Sequence, residues 1–223
     1  VDRSVTRYIN TSSIQVNRIS GTIWSGSASI KFNQLFNADL DWSIPFQKVL
    51  VFKPAVIWSL KSNLSSLKGK SLIASDRITT KMSGEVDAYL LNILFDQYDV
   101  SLSGNLDVRS LRVKNELNKE FSLSSLEGEL EWSGGPVSYI LSTFPLTIDS
   151  PAFQINVRDQ QAYEFLAELY AENTNYPLLT IELEKSGFAK IKVTKNFTQL
   201  FGNVWPGAQA DKEIVFELEE KIF

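Results

Sequence analysis

The chain has 223 residues, 22 Lys and Arg against 26 Asp and Glu, and neither cysteine nor histidine. Lack of cysteine excludes disulfides, thiolate nucleophiles and Cys-based zinc sites. Lack of histidine excludes Ser-His-Asp and Cys-His mechanisms and the usual zinc, copper and haem ligation, and it removes the side chain best suited to acid–base work near neutral pH.

The net charge of −4 is uneven. Residues 1–120 hold 15 basic and 11 acidic side chains, and residues 121–223 hold 7 and 15. Such asymmetry is more often a fluctuation of composition than the mark of a basic end near a membrane or an acidic partner. The cations are scattered, with no basic helix and no aromatic RNP-like run, so no nucleic-acid partner is expected. No apolar run approaches the roughly 18–20 residues of a membrane span.

Taken in order, Val1–Ile9 has Val5, Tyr8 and Ile9 at near-helical spacing, which predicts a short helix. Ile14, Val16 and Ile19 predict a strand entering Gly21. From Trp24 the chain alternates: Trp24, Gly26, Ala28, Ile30 and Phe32 share one parity, while Ser25, Ser27, Ser29 and Lys31 share the other. A period of two is the mark of a half-buried strand. Ala38, Leu40, Trp42 and Ile44 make a second such strand, ended by Pro45. Val49–Leu60 is apolar on both parities, so it is covered on both sides or lines a groove, and Pro54 implies an edge, bulge or break.

Leu67–Ile73 pairs back across Gly69, and Ser83–Leu90 alternates again. In Val100–Val113 the parity slips at Arg109–Ser110, which predicts a β-bulge. Leu130 and Trp132 face in while Glu129 and Glu131 face out. Val137–Phe144, Leu146–Ile148 and Phe153–Val157 follow as strands. Asp159–Asn173 is the best helix candidate, with Ala162, Phe165, Leu166 and Leu169 in a stripe, and a helix there would cover Val49–Leu60. Strands at Leu178–Leu183 and Ala189–Val193 flank a turn at Lys185–Gly187. One helical turn at Phe197–Phe201, a Trp205-Pro206-Gly207 loop and a last strand with Ile214, Phe216 and Leu218 complete the chain.

About a dozen short strands, one or two short helices and no βαβ rhythm predict a mainly antiparallel all-β fold: a large curved or twisted sheet, a partial barrel or a sandwich. No linker divides it, so residues 1–223 are read as one β domain, with two related halves meeting near residue 120 as an alternative. The second reading comes from a short Gly-led element at Gly21, Gly84, Gly104 and Gly128. Its fuller copies, Gly21-Thr-Ile-Trp24-Ser-Gly26 and Gly128-Glu-Leu-Glu-Trp132-Ser-Gly134, stand 107 residues apart. Glycine within a strand marks a bulge, a bend or close backbone approach. The structural motif residues are therefore Gly21, Trp24, Gly26, Trp42, Gly104, Gly128, Trp132 and Gly134, with Trp24 and its flanking glycines expected to set curvature and packing.

No catalytic, cofactor-binding or metal-binding residue is assigned, and no cofactor is expected. The carboxylate pairs Asp39/Asp41, Glu129/Glu131, Glu182/Glu184 and Glu217/Glu219 are spaced by two on polar strand faces, as on a solvated sheet. Asp96-Gln-Tyr-Asp99 lacks the glycine and periodicity of an EF-hand loop, and the Gly-rich pieces match neither a P-loop nor a dinucleotide fingerprint.

The Gly21–Gly26 element, then Leu40-Asp-Trp42-Ser-Ile-Pro45, Gly128-Glu-Leu-Glu-Trp132-Ser and Phe197-Thr-Gln-Leu-Phe-Gly202, in that order, resemble the periplasmic part of type II secretion system protein N. The resemblance implies a non-enzymatic accessory component of the machine that exports folded proteins across the bacterial outer membrane. It implies a periplasmic location, anchored in the inner membrane through an N-terminal helix preceding Val1. Its partners would be other type II secretion components, namely inner-membrane platform proteins and, as a further candidate, the secretin. Asp159–Asn196 departs from the family pattern. The alternative function is a periplasmic carrier or binding module holding a lipid or other apolar ligand in a curved β cradle, suggested by the two apolar parities of Val49–Leu60.

Overall fold

The computed structural model describes residues 14–32, 36–45, 54–95, 99–117, 122–141, 144–160, 163–184 and 186–221. The helix expected at Val1–Ile9 and the stretch Val49–Lys53 lie outside these residues. The first strands are β1 (Ile14–Gly21), β2 (Ser25–Phe32), β3 (Phe36–Ser43), β4 (Ala55–Ser62), β5 (Ser65–Ile73) and β6 (Arg77–Asp87). Helix α1 (Tyr89–Phe95) and β7 (Val100–Leu102) follow, then β8 (Asn105–Glu116) and β9 (Ser122–Trp132). Next come β10 (Gly135–Leu141), β11 (Phe144–Ser150), β12 (Phe153–Gln160) and β13 (Tyr163–Ala171). The chain closes with β14 (Leu179–Leu183), β15 (Phe188–Thr194), α2 (Lys195–Leu200) and β16 (Ile214–Lys221).

Thirteen of the strands form one antiparallel sheet in the order β1-β2-β3-β4-β5-β6-β8-β9-β12-β13-β14-β15-β16, which does not close into a barrel. The other three make a small sheet, β11-β10-β7. Alternation along each strand sorts side chains between two faces, and the register lines them up across strands. One cross-strand row reads Gly21, Gly26, Trp42, Trp58, Gly69, Met82, Leu111, Gly128, Val157, Ala167, Ile181, Ile191 and Leu218. Every strand of the large sheet contributes a glycine or an apolar side chain to it. The glycines stand beside large neighbours: a Cβ on Gly26 would lie 2.5 Å from the Trp42 ring, and one on Gly69 would lie 2.4 Å from the Trp58 ring. Each indole thus occupies the space its glycine partner leaves open, a recurrent way of covering a strand glycine with an aromatic ring.

A second row, Val86, Leu106, Trp132, Phe153 and Ala171, carries the core. The small sheet and α2 pack over it, and α1 packs against β7 and β6. Ala88, Trp132, Val137, Phe153 and Leu178 are buried together, with Phe197 and Phe201 against them. The Trp132 and Phe153 rings stack at 5.8 Å, and Trp132 Nε1 donates to the Ser103 carbonyl at 2.8 Å. Among the described elements, β1–β5 have their main contacts with strand neighbours alone. The second layer therefore covers only one part of the large sheet.

Three local expectations change. Residues 163–171 are strand β13, not part of a helix over Asp159–Asn173. Phe165, Ala167 and Leu169 pair with β14, while Leu169 and Ala171 pair with Ile155 and Phe153 of β12. Leu166 lies on the other face, buried between its register partners Arg158 and Glu182. Apolar residues on both faces imitate a helical stripe, and pairing on both sides decides in favour of the strand. No helix from that segment covers β4, whose Ile57 is exposed. The strand expected through Ser83–Leu90 ends at Asp87, because Asp87 Oδ1 accepts the Tyr89 N–H at 2.8 Å and starts α1. Trp24 lies in the turn before β2 and is 47% exposed, instead of sharing the apolar strand face with Gly26. The bulge expected at Arg109–Ser110 is present as a register shift between Val108 and Ser110.

Candidate interaction site

Among the described residues, strand β16 pairs with β15 on one side and ends the sheet on the other. Such an edge presents unpaired backbone N–H and C=O groups to whatever approaches. Its side chains alternate. Phe216 and Leu218 stand opposite Val193 and Ile191 on the apolar face, and both are exposed, as is Ile214. Glu217 and Glu219 point to the polar face, where Lys190 Nζ lies 3.6 and 3.9 Å from their carboxylates.

Beside this edge is an apolar cleft of about 350 Å³, lined chiefly by Val137, Tyr139, Phe197, Phe201, Trp205 and Phe216. Its walls are held from several directions. Thr194 caps α2, its Oγ1 accepting the Phe197 N–H, and also donates to the Leu178 carbonyl at 3.0 Å. Tyr139 Oη donates to the Phe201 carbonyl at 2.6 Å and accepts from Asn203 Nδ2 at 3.2 Å. Lys195 Nζ donates to the Gly207 and Gln209 carbonyls and ties down the 205–209 loop. The phenol that faces the cleft is therefore already hydrogen-bonded. A free sheet edge next to an apolar cleft suits strand addition, in which main-chain bonds give affinity and a pocket for one side chain gives selectivity.

A second depression of about 450 Å³ lies over Met82, Leu111, Gly128 and Val157 at mid-sheet. Of the charged residues around it, Arg112 lies 3.6 Å from Glu127 and Arg158 lies 3.5 Å from Glu168, while Lys81 and Glu129 have no ion pair among the described residues.

The motif residues fall into separate groups. Gly21, Gly26, Trp42 and Gly128 stand in the thirteen-strand row. Gly104, Trp132 and Gly134 converge at the core, where a Cβ on Gly104 would meet the Gly134 carbonyl at 2.2 Å and Trp132 Nε1 at 3.3 Å. Trp24 stands apart in its turn, and none of the eight reaches the β16 edge. Sequence reasoning found β16 as a strand but not as the edge. The alternation of Ile214, Phe216 and Leu218 at the end of a strand meander was the available signal.

Several carboxylates of these pairs have partners on the polar face. Glu131 pairs with Arg109, Asp39 accepts from Ser29 Oγ at 2.7 Å, and the nearly buried Glu182 accepts from Lys192 Nζ at 2.5 Å. Among the described residues, no group of three or more carboxylates is placed to hold a metal ion, and no helix is long and apolar enough to cross a membrane.

The family model of type II secretion system protein N matches residues 12–190. No curated protein and no solved structure matches. The family match covers most of the chain, and the chain belongs to the type II secretion system protein N family.

Proposed function

We propose that this chain is the periplasmic β domain of an inner-membrane-anchored accessory component of the type II secretion machinery, and that it acts by binding other components and not by catalysis. The observation that carries the reading beyond family membership is the free β16 edge beside the apolar cleft. A partner strand would add to that edge and seat one apolar side chain between Phe201, Trp205 and Phe216. Inner-membrane platform proteins are the first candidates, and the secretin is the next.

The test is affinity recovery of the full-length protein from a type II-secreting bacterium, with and without the double variant Phe216→Asp, Leu218→Asp. Both side chains are exposed, so the fold should tolerate the change, and a circular-dichroism melt checks it. The expected result is recovery of secretion components by the parent and at least a roughly tenfold lower recovery by the variant, equivalent to about 1.4 kcal/mol of binding. Undiminished recovery by a folded variant removes the edge as the site. Recovery of no secretion component, together with normal secretion in a deletion strain, removes the role in secretion.

The cleft itself favours a second reading, as a carrier of a lipid or other apolar ligand. Its volume of about 350 Å³ lies at the low end of the roughly 300–1,000 Å³ typical of ligand pockets, and its lining is largely apolar. Native mass spectrometry after gentle purification should then show a copurifying ligand, and a bare protein mass counts against it.

A further inference from the structure

Alternate turns of an antiparallel meander fall at the same end of the sheet. Backbone hydrogen bonds join successive turns along that end: Ile44 N–H to the Trp24 carbonyl at 2.7 Å, Ile73 N–H to Pro54 at 3.0 Å, and Leu117 N–H to Asp76 at 2.8 Å. The described parts of this end, the β1–β2 turn, the β5–β6 turn and the end of β8, span six inter-strand steps, about 29 Å at ~4.8 Å per step. They expose large apolar side chains. Ile23 is 74% exposed, and Trp24, Leu72, Ile73 and Leu117 are also exposed. A soluble sheet ordinarily places polar residues at such turns.

Cations stand directly behind these tips. Lys70 of β5, Lys81 of β6 and Arg112 of β8 are register partners on one face. Like charges directly opposite one another on adjacent strands are unfavourable. Arg112 is relieved by Glu127, but neither Lys70 nor Lys81 has an ion pair among the described residues. Arg77 and Lys114 add to the same end. The carboxylates there are Asp76, 3.9 Å from Arg77, Glu116, and Glu127, shared by Arg112 and Lys114. Farther along this end the charges are mixed: Asp159 follows Arg158 in β12, Glu184 precedes Lys185 in the sequence, and β16 ends at Lys221.

We propose that the β1–β2 turn, the β5–β6 turn and the end of β8 rest together on an anionic lipid bilayer. An apolar medium favours the exposed Ile, Leu and Trp, and negative charge favours the opposed lysines. The interface of an anionic bilayer supplies both over an extended front, which a small anion does not. Tryptophan is favoured at that depth. The contact would be made by the chain itself, in addition to any anchor.

The test is flotation of the purified chain with vesicles of phosphatidylethanolamine and phosphatidylglycerol, and with vesicles of phosphatidylcholine alone. Flotation is expected with the anionic vesicles, with a blue shift of tryptophan emission that Trp24→Phe diminishes. It should fall as salt rises, because screening shortens the reach of surface charge. Lys70→Glu with Lys81→Glu should lower the bound fraction constant at least about tenfold, as should Ile23→Ser with Leu117→Ser. All four side chains are exposed, and an unchanged melting temperature confirms the fold. Absence of flotation overturns the proposal, as does equal flotation by parent and variants or equal binding to phosphatidylcholine. Binding to soluble polyglutamate without binding to vesicles overturns it in favour of an acidic protein surface.

Discussion

Replacing Trp132 by alanine tests whether the core lies where the two layers meet. Trp132 is 6% exposed, its ring stacks on Phe153 at 5.8 Å, and its Nε1 donates to Ser103 at 2.8 Å. A tryptophan buries roughly 150–250 Å². At about 25 cal/mol per Å² the transfer contribution is roughly 4–6 kcal/mol as an upper bound, since unfolded chains already hide part of that area. Measured Trp→Ala losses in cores run about 3–5 kcal/mol, and that is the expected cost here. Trp24, at 47% exposed, should cost less than half as much on replacement by alanine. Urea denaturation of both variants, followed by far-UV circular dichroism, gives the comparison. In thermal melts of a domain this size, each kcal/mol corresponds to about 2–4 °C, so the Trp132 variant should melt at least about 6 °C lower. A Trp24→Ala loss equal to that of Trp132→Ala would refute the reasoning, because the turn would then be as much a part of the core as the sheet.

Two other substitutions probe the sheet itself. Gly26→Ala should destabilise by about 1–3 kcal/mol, because its Cβ would meet both the Trp42 ring and the Ser20 carbonyl at 2.5 Å; a neutral melt would show that this part of the sheet opens without cost. Lys192→Met strips the nearly buried Glu182 carboxylate of its ammonium partner and should cost about 3 kcal/mol in urea titration at neutral pH, while adding Glu182→Met should restore most of it. Equal stability of the single and double variants would mean that the carboxylate is satisfied without the lysine.

Local periodicity makes most of the large sheet legible in the sequence. The parity slip at Arg109–Ser110 is the bulge. Which residue covers each strand glycine is not legible. Gly26 is covered by Trp42 and Gly69 by Trp58, and such pairs depend on register between strands, to which a spacing count within one strand is blind. The misread segment at residues 163–171 has the same origin. Leu166 is apolar on the polar face because Arg158 and Glu182 flank it, and that neighbourhood exists only after three strands have paired. The candidate site was legible as a strand and not as an edge. Which strand ends a sheet depends on β7, β10 and β11 leaving the main sheet to form a layer of their own.

The order of the large sheet also bears on how the chain folds. Nearly every strand lies beside the one made just before it, so most contacts close short loops, and topologies of this kind fold faster than sandwiches whose strands pair at long range. A chain emerging from its N-terminus can add strands one at a time as far as β6. The aromatic core is different: Trp132 and Phe153 must wait for Phe197 and Phe201 before their second layer closes. The early strands thus assemble as a growing ribbon with one apolar face uncovered, and consolidation of the fold waits until residue 201 has arrived.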